Sequence, residues 1–268
     1  MALSTNDIII TSLDSITAFD ITTNDYLFTL DELQSATISQ SEETTEITGR
    51  QGRRLSTLKT NKSIEVTGTN GLISGGLMEL QTGSEFEHDD DALVLKSERL
   101  TVTSPSSGAA TAATTETAQG TAGNEIYKAY VVAEQGFGDV YTQGTTAGSK
   151  KFTYDPSTKT ITFDSSDTDI KGKTILVFYM AEVSADTLKN DAGKYAKKAA
   201  LYIDATGEDT CANEYHVQFY IPKADFDGTF DIQMGDDQAV HEFTASSLAG
   251  ACESGGESYL FTYTVFQD

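Results

Sequence analysis

The chain has 268 residues with 41 acidic against 18 basic side chains, a formal net charge of −23 and a pI near 4.3. That balance leaves no basic face for gripping nucleic acid; no apolar run approaches the roughly 18 residues of a membrane span, and the N-terminal MALSTNDIIITSLDSITAF lacks the basic leader of an export signal. The length suits one domain or one domain with an insertion, while 12 Tyr and 13 Phe supply core and 38 Thr with only 3 Pro favour strands over long helices.

In chain order, residues 26–33 (YLFTLDEL) put Tyr26, Phe28 and Leu30 on one face, and residues 35–48 continue through Ala36 and Ile38 into an acidic Thr-rich stretch. This alternation predicts a long hairpin or a strand pair with one wet side. GRQGRRLSTLKTNK (49–62) is glycine-punctuated and basic and is read as a loop; SIEVT (63–67) is read as a strand. From Asn70 to Gln81 the apolar residues Ile73, Leu77 and Leu80 recur at helical spacing, which predicts a helix with these three as its buried stripe, stopping before Gly83. Gly75 and Gly76 weaken it by roughly 1 kcal/mol each.

A strand near 92–103 precedes SPSSGAATAATTETAQGTAG (104–123), whose small polar residues predict a flexible, surface-laid connection without core. Short aromatic strands follow: EIYKAYVVAE, a hairpin over 150–164 around Asp155-Pro156-Ser157-Thr158, and TILVFYMAE. Residues 184–200 read as a loop or short helix, and ALYID, EYHVQFYIP, GTFDIQM, AVHEFTA and SYLFTYTVF as strands, with Pro222 ending its strand or lying on an edge because it lacks the ladder donor. The domain reading is accordingly 1–105 and 183–268 as two halves of one β domain, 106–125 as a connection, and 126–182 as a β-rich segment or insertion.

No catalytic pattern emerges. His88, His216 and His241 are scattered, and EFEHDDDA reads as a solvated acidic turn rather than a cation site on Glu87, Asp89 and Asp91. DFDGTFD, with Asp225, Asp227 and Asp231, lacks calcium-loop spacing. GKT at 172–174 is no phosphate loop, because Asp167 stands where the first glycine belongs. Cys211 and Cys252 are too few and too distant for a disulfide framework or zinc knuckle, and read either as reduced, partly buried thiols or as a pair that can meet. No enzyme activity, cofactor or metal is expected.

One charge feature runs against the whole. Arg50, Arg53, Arg54, Lys59 and Lys62 supply five of the 18 basic residues, directly after Glu42, Glu43 and Glu46. They read either as a solvated mixed-charge loop or as a contact surface for an acidic partner, which a chain at −23 offers mainly on other copies of itself.

The runs EITGRQGRRLSTLKTNKSIEVTGTNGLISGGLMELQTG and EYHVQFYIPKADFDGTFDIQMGDDQAVHEFTASSL, with the closing SYLFTYTVF, resemble the two halves of the major tail tube proteins of long-tailed bacteriophages. The resemblance implies a mainly β subunit, an antiparallel β-sandwich or barrel with one short packed helix and a long hairpin. It further implies six-membered rings stacked into a hollow tube in the virion tail, assembled in the host cytoplasm, with tape-measure, terminator and baseplate or tip proteins as partners. DNA would pass without specific binding, and no membrane is involved. Residues 26–48 would help build the inner barrel, the loop at 49–61 would reach a neighbouring subunit or ring, and the helix over 70–82 would pack on the barrel. Two other classes stay open on the residues alone: a capsid decoration or head-fibre protein, and a β-sandwich module for carbohydrate or a cell surface, for which no aromatic cluster with flanking polar groups stands out from core alternation.

Overall fold

The structure, a computed structural model, describes residues 7–134, 136–233, 240–248 and 259–267. The first elements are β1 (Ile9–Asp20), β2 (Tyr26–Leu30), β3 (Leu33–Thr48), β4 (Arg54–Asn70) and α1 (Gly75–Thr82). Then come β5 (Phe86–Thr101), β6 (Thr111–Ala113), β7 (Ile126–Val132), β8 (Phe137–Gln143), β9 (Lys151–Asp155), β10 (Thr160–Phe163) and β11 (Thr174–Leu188). The chain closes with β12 (Lys198–Glu208), β13 (Glu214–Phe226), β14 (Ile232–Gln233), β15 (Val240–Ser247) and β16 (Thr262–Phe266). The protein is mainly β and its sheets are antiparallel but for a short β8–β9 contact. Among the described residues no helix is long and apolar enough to cross a membrane.

Two compact units divide the chain, residues 1–86 with 188–268, and residues 87–187. In the first, a nine-stranded sheet runs β2-β1-β12-β13-β15-β4-β3, with β14 on β15 and β16 on β13. It curls into a half-barrel, so β1 and β3 approach each other over an apolar floor that includes Leu13, Ile38, Ile203 and Phe219. Strict alternation fills the inside: Ile16 and Ala18 on β1, Leu201 and Ile203 on β12, Val217 and Ile221 on β13, Ile64 and Val66 on β4. Pro222 is inside β13 rather than at its end, and the pairing explains how. Register slips by one residue opposite Ala199–Leu201, and on the other flank β16 pairs only up to Tyr220 while β15 begins at Ala224. The missing N–H therefore falls at a bulge between two partner strands, and the inward set passes from odd to even numbers between Ile221 and Ala224.

The helix is shorter than its apolar spacing suggests. Ser74 caps it, its Oγ accepting the Leu77 N–H at 3.3 Å, so Ile73 precedes the cap and is 47% exposed. The buried stripe is Leu77 and Leu80, extended by Gln81 and Thr82; Ile73 does not belong to it, because outside the helix the 3.6-residue period no longer sets its direction. Gly76 has a structural reason: a Cβ there would meet the Phe28 Cβ at 2.8 Å. Gly83 stops the helix at φ 71° with its N–H on the Glu79 carbonyl, and Tyr195 backbone packs against it too closely for any side chain.

The second unit is a seven-stranded sheet, β5-β11-β7-β8-β9-β10-β6, over a core including Tyr141, Phe152, Phe163, Ile175 and Tyr179. Here the connection expected over 106–125 proves structural. Ala110, Ala112 and Ala118 are buried in that core, and residues 111–113 form β6 on β10. Alanine is small enough to let neighbouring backbone close over it, and the stretch is laced by Phe163 N–H to Ala110 O at 3.0 Å and Gln119 N–H to Met180 O at 2.7 Å. The acidic run at 87–91 lies in β5 rather than a turn, with His88 between Asp186 and Asp90. Residues 184–188 complete β11 instead of a loop. Cys211 is exposed rather than partly buried, and Cys252 lies outside the described residues.

Candidate functional site: an exposed two-stranded arm

The basic segment is not a long loop. Only Gly49–Arg53 turns, closed by the Gly49 N–H on the Arg53 carbonyl at 2.7 Å with Gln51 and Gly52 at positive φ. From Arg54 onward the chain is strand, because Leu55, Thr57 and the residues beyond alternate against β3 as far as Asn70. The expected hairpin over 26–48 is correspondingly rearranged: β2 pairs with β1, and the long hairpin is β3 with β4.

Its inner half belongs to the curled sheet, where Ile64 and Val66 are buried. Beyond the Ser41–Ser63 pair, whose hydroxyls meet at 2.7 Å, it continues as a ribbon of two strands roughly 25 Å long. Nearly every residue of that ribbon is exposed, on both faces. An isolated strand pair is marginally stable in water, and this one carries Ile47, Leu55 and Leu58 at 48%, 67% and 53% exposure.

Register sorts the two faces. Glu46 opposite Thr57 and Thr44 opposite Lys59 define a charged face. On it Arg54 reaches Glu46 at 3.1 Å and donates to the Thr57 hydroxyl at 2.8 Å, and Lys59 pairs with Glu42. Thr45 opposite Leu58 and Ile47 opposite Ser56 define the other, largely uncharged face. Of the five candidate contact residues, Arg54 and Lys59 are thus engaged by the arm's own carboxylates. Arg50 and Arg53 stand at the tip and Lys62 near the root, without an ion pair among the described residues. The bases are legible in the sequence, but Ile47 and Leu58 are not: Ile47 has no apolar neighbour at period two in its acidic Thr-rich strand, and Leu58 falls within 49–62, whose glycines and bases signal a loop.

Among the described residues no group of three or more His, Cys, Asp or Glu side chains is placed to hold a metal ion. His88 is exposed, its pKa raised chiefly by the Asp186 carboxylate at 2.7 Å. His241 is buried, and burial lowers its pKa.

No curated protein matches the chain. A family model does, over residues 8–260, spanning both units and the arm. The chain belongs to the YomU/Tube protein family, a family of phage-associated tube proteins.

Proposed function

We propose that this chain is a tail tube subunit of a long-tailed phage, self-assembling into stacked, hexameric rings that form a hollow conduit for genome delivery. The observation that carries this reading is the arm: a two-stranded projection with wet apolar side chains on one face and, at its tip, arginines that form no ion pair among the described residues is unfinished in a lone subunit. A second copy supplies what it lacks, an apolar surface for Ile47 and Leu58 and carboxylates for Arg50 and Arg53. The net charge of −23 supports the conduit, since carboxylates along a wall repel passing phosphates.

Negative-stain microscopy of the purified protein tests the proposal, with hollow tubes or stacked rings as the expected image. Since Arg54 already holds Glu46, charge reversal belongs at the tip: Arg50→Glu with Arg53→Glu, and separately Ile47→Asp with Leu58→Asp, should each give folded subunits that do not polymerise at the salt concentration at which the parent does. Discrete monomers or trimers of the unaltered chain would instead favour a decoration protein of the head.

A further inference from the structure

The curled sheet has an outer face as well as a core, and one part of it is not an ordinary wet surface. Because Ala18, Leu201, Ile203, Val217 and Ile221 are buried, their neighbours Phe19, Tyr202, Asp204, Gln218 and Tyr220 stand on the opposite side of β1, β12 and β13. Register aligns Thr17, Tyr202 and Tyr220 in one row across the three strands and Ser15, Asp204 and Gln218 in the next. The Tyr202 and Tyr220 rings stack at 4.5 Å with 27° between their planes, and Phe19 meets Tyr202 edge-on at 5.7 Å. Beside the rings, the Gln218 amide donates to the Asp204 carboxylate at 2.8 Å. The β1–β2 turn brings Asn24 to the rim at φ 60°, fixed by the Thr22 and Thr23 amides on the Asp20 carboxylate at 2.7 and 2.9 Å. Together these residues line an open cleft of about 490 Å³, within the roughly 300–1,000 Å³ usual for small-molecule sites.

We propose that this cleft binds a neutral pyranose ring of a glycan. Half-buried aromatic rings offer a surface for the C–H face of a saturated sugar. Planar polar side chains beside them suit vicinal hydroxyls: Asp204 spends one oxygen on Gln218, leaving its other oxygen and the Gln218 carbonyl as acceptors. The lining contains no Lys or Arg, so phosphate, sulfate and acidic sugars find an acceptor-rich wall in a chain of −23. The three aromatics come from positions 19, 202 and 220, which is why the cluster is invisible along the sequence.

The test is titration of the full chain with chitotetraose, cellotetraose and an array of neutral glycans, followed by calorimetry and by tyrosine emission, which no Trp obscures. Saturable binding of a neutral oligosaccharide is expected, weakened about tenfold or more by Tyr202→Ala and by the isosteric Asp204→Asn. The second variant should retain the thermal unfolding of the parent, which separates lost contact from lost fold. No binding to any neutral glycan, binding confined to anionic ones, or binding indifferent to both substitutions would overturn the proposal.

Discussion

At the scale of single residues, His241 shows how a buried polar side chain is held in one protonation state. Gln81 donates its amide to the Glu242 carbonyl at 3.0 Å, so its oxygen must accept, and it receives the His241 Nε2–H at 2.8 Å. His241 Nδ1 is then a lone pair, and it accepts the Ser74 N–H at 3.4 Å. The imidazole thus ties the helix cap to the far end of α1 in its neutral form only; a second proton would set two donors against each other. Burial depresses its pKa from the ordinary 6.5, so its stabilisation is complete above about 6.5 and is lost as pH falls through the depressed folded value, at no more than about 1.4 kcal/mol per pH unit. His88 acts with opposite sign, its raised pKa favouring the fold at low pH and losing that contribution as pH rises, and the hydrogen-bonded carboxylates of Asp20, Asp155, Asp164 and Asp209, all lowered, lose theirs only below the usual carboxylate range. The difference between the parent and His241→Gln therefore isolates the buried ring. Its melting temperature should fall more steeply than the variant's between pH 7 and pH 5; parallel curves would mean that the network tolerates the charge.

At the scale of elements, alternation was the legible signal and composition the misleading one. Strands β9, β10 and β12, and β13 as far as Ile221, follow the apolar periods read from sequence, because one buried face imposes period two on every second side chain. Composition failed at 104–123, where small residues signalled slack but three alanines serve as contact points. There Tyr154 takes the Ala118 N–H on its hydroxyl at 2.9 Å, and Tyr179 takes the Glu116 N–H at 3.3 Å while donating to Glu98 at 2.6 Å. Those tyrosines lie 36 and 63 residues downstream of their partners, beyond any local pattern. The same blindness hid the arm, where the strand character of 54–62 rests on pairing with β3 rather than on its own basic sequence, which follows a glycine-punctuated turn. Adjacent alanines make the point testable. Ala112 is buried and Ala113 exposed on one short strand, so Ala112→Leu should overpack the second core and cost about 1–3 kcal/mol, whereas Ala113→Leu should stay within about 0.5 kcal/mol. Equal thermal unfolding of the two variants would return this stretch to the surface role its composition suggested.

At the scale of the whole molecule, charge and assembly pull against each other. A subunit at −23 repels its copies over distances set by the ionic atmosphere, about 10 Å at 0.1 M salt and about 3 Å at 1 M. The attractive parts of the arm differ in kind. Arg50 and Arg53 act through charge and are exposed, so each pair they form contributes only about 0–1 kcal/mol and weakens with salt. Ile47 and Leu58 bury apolar surface on docking, at about 25 cal/mol per Å², and salt does not screen that gain. The wide repulsion of whole subunits is therefore screened before the contact that opposes it. Tube formation should accordingly be faster and more complete in about 0.5 M sodium chloride than in about 0.02 M, followed by light scattering on freshly purified subunits. Residual salt dependence should differ between variants: the Arg50→Glu, Arg53→Glu chain, with more negative charge at its tip, should need still higher salt, while the Ile47→Asp, Leu58→Asp chain should not be rescued at any. Tubes that form best at low salt and dissolve as it rises would show that the arginines, not the apolar face, hold the copies together.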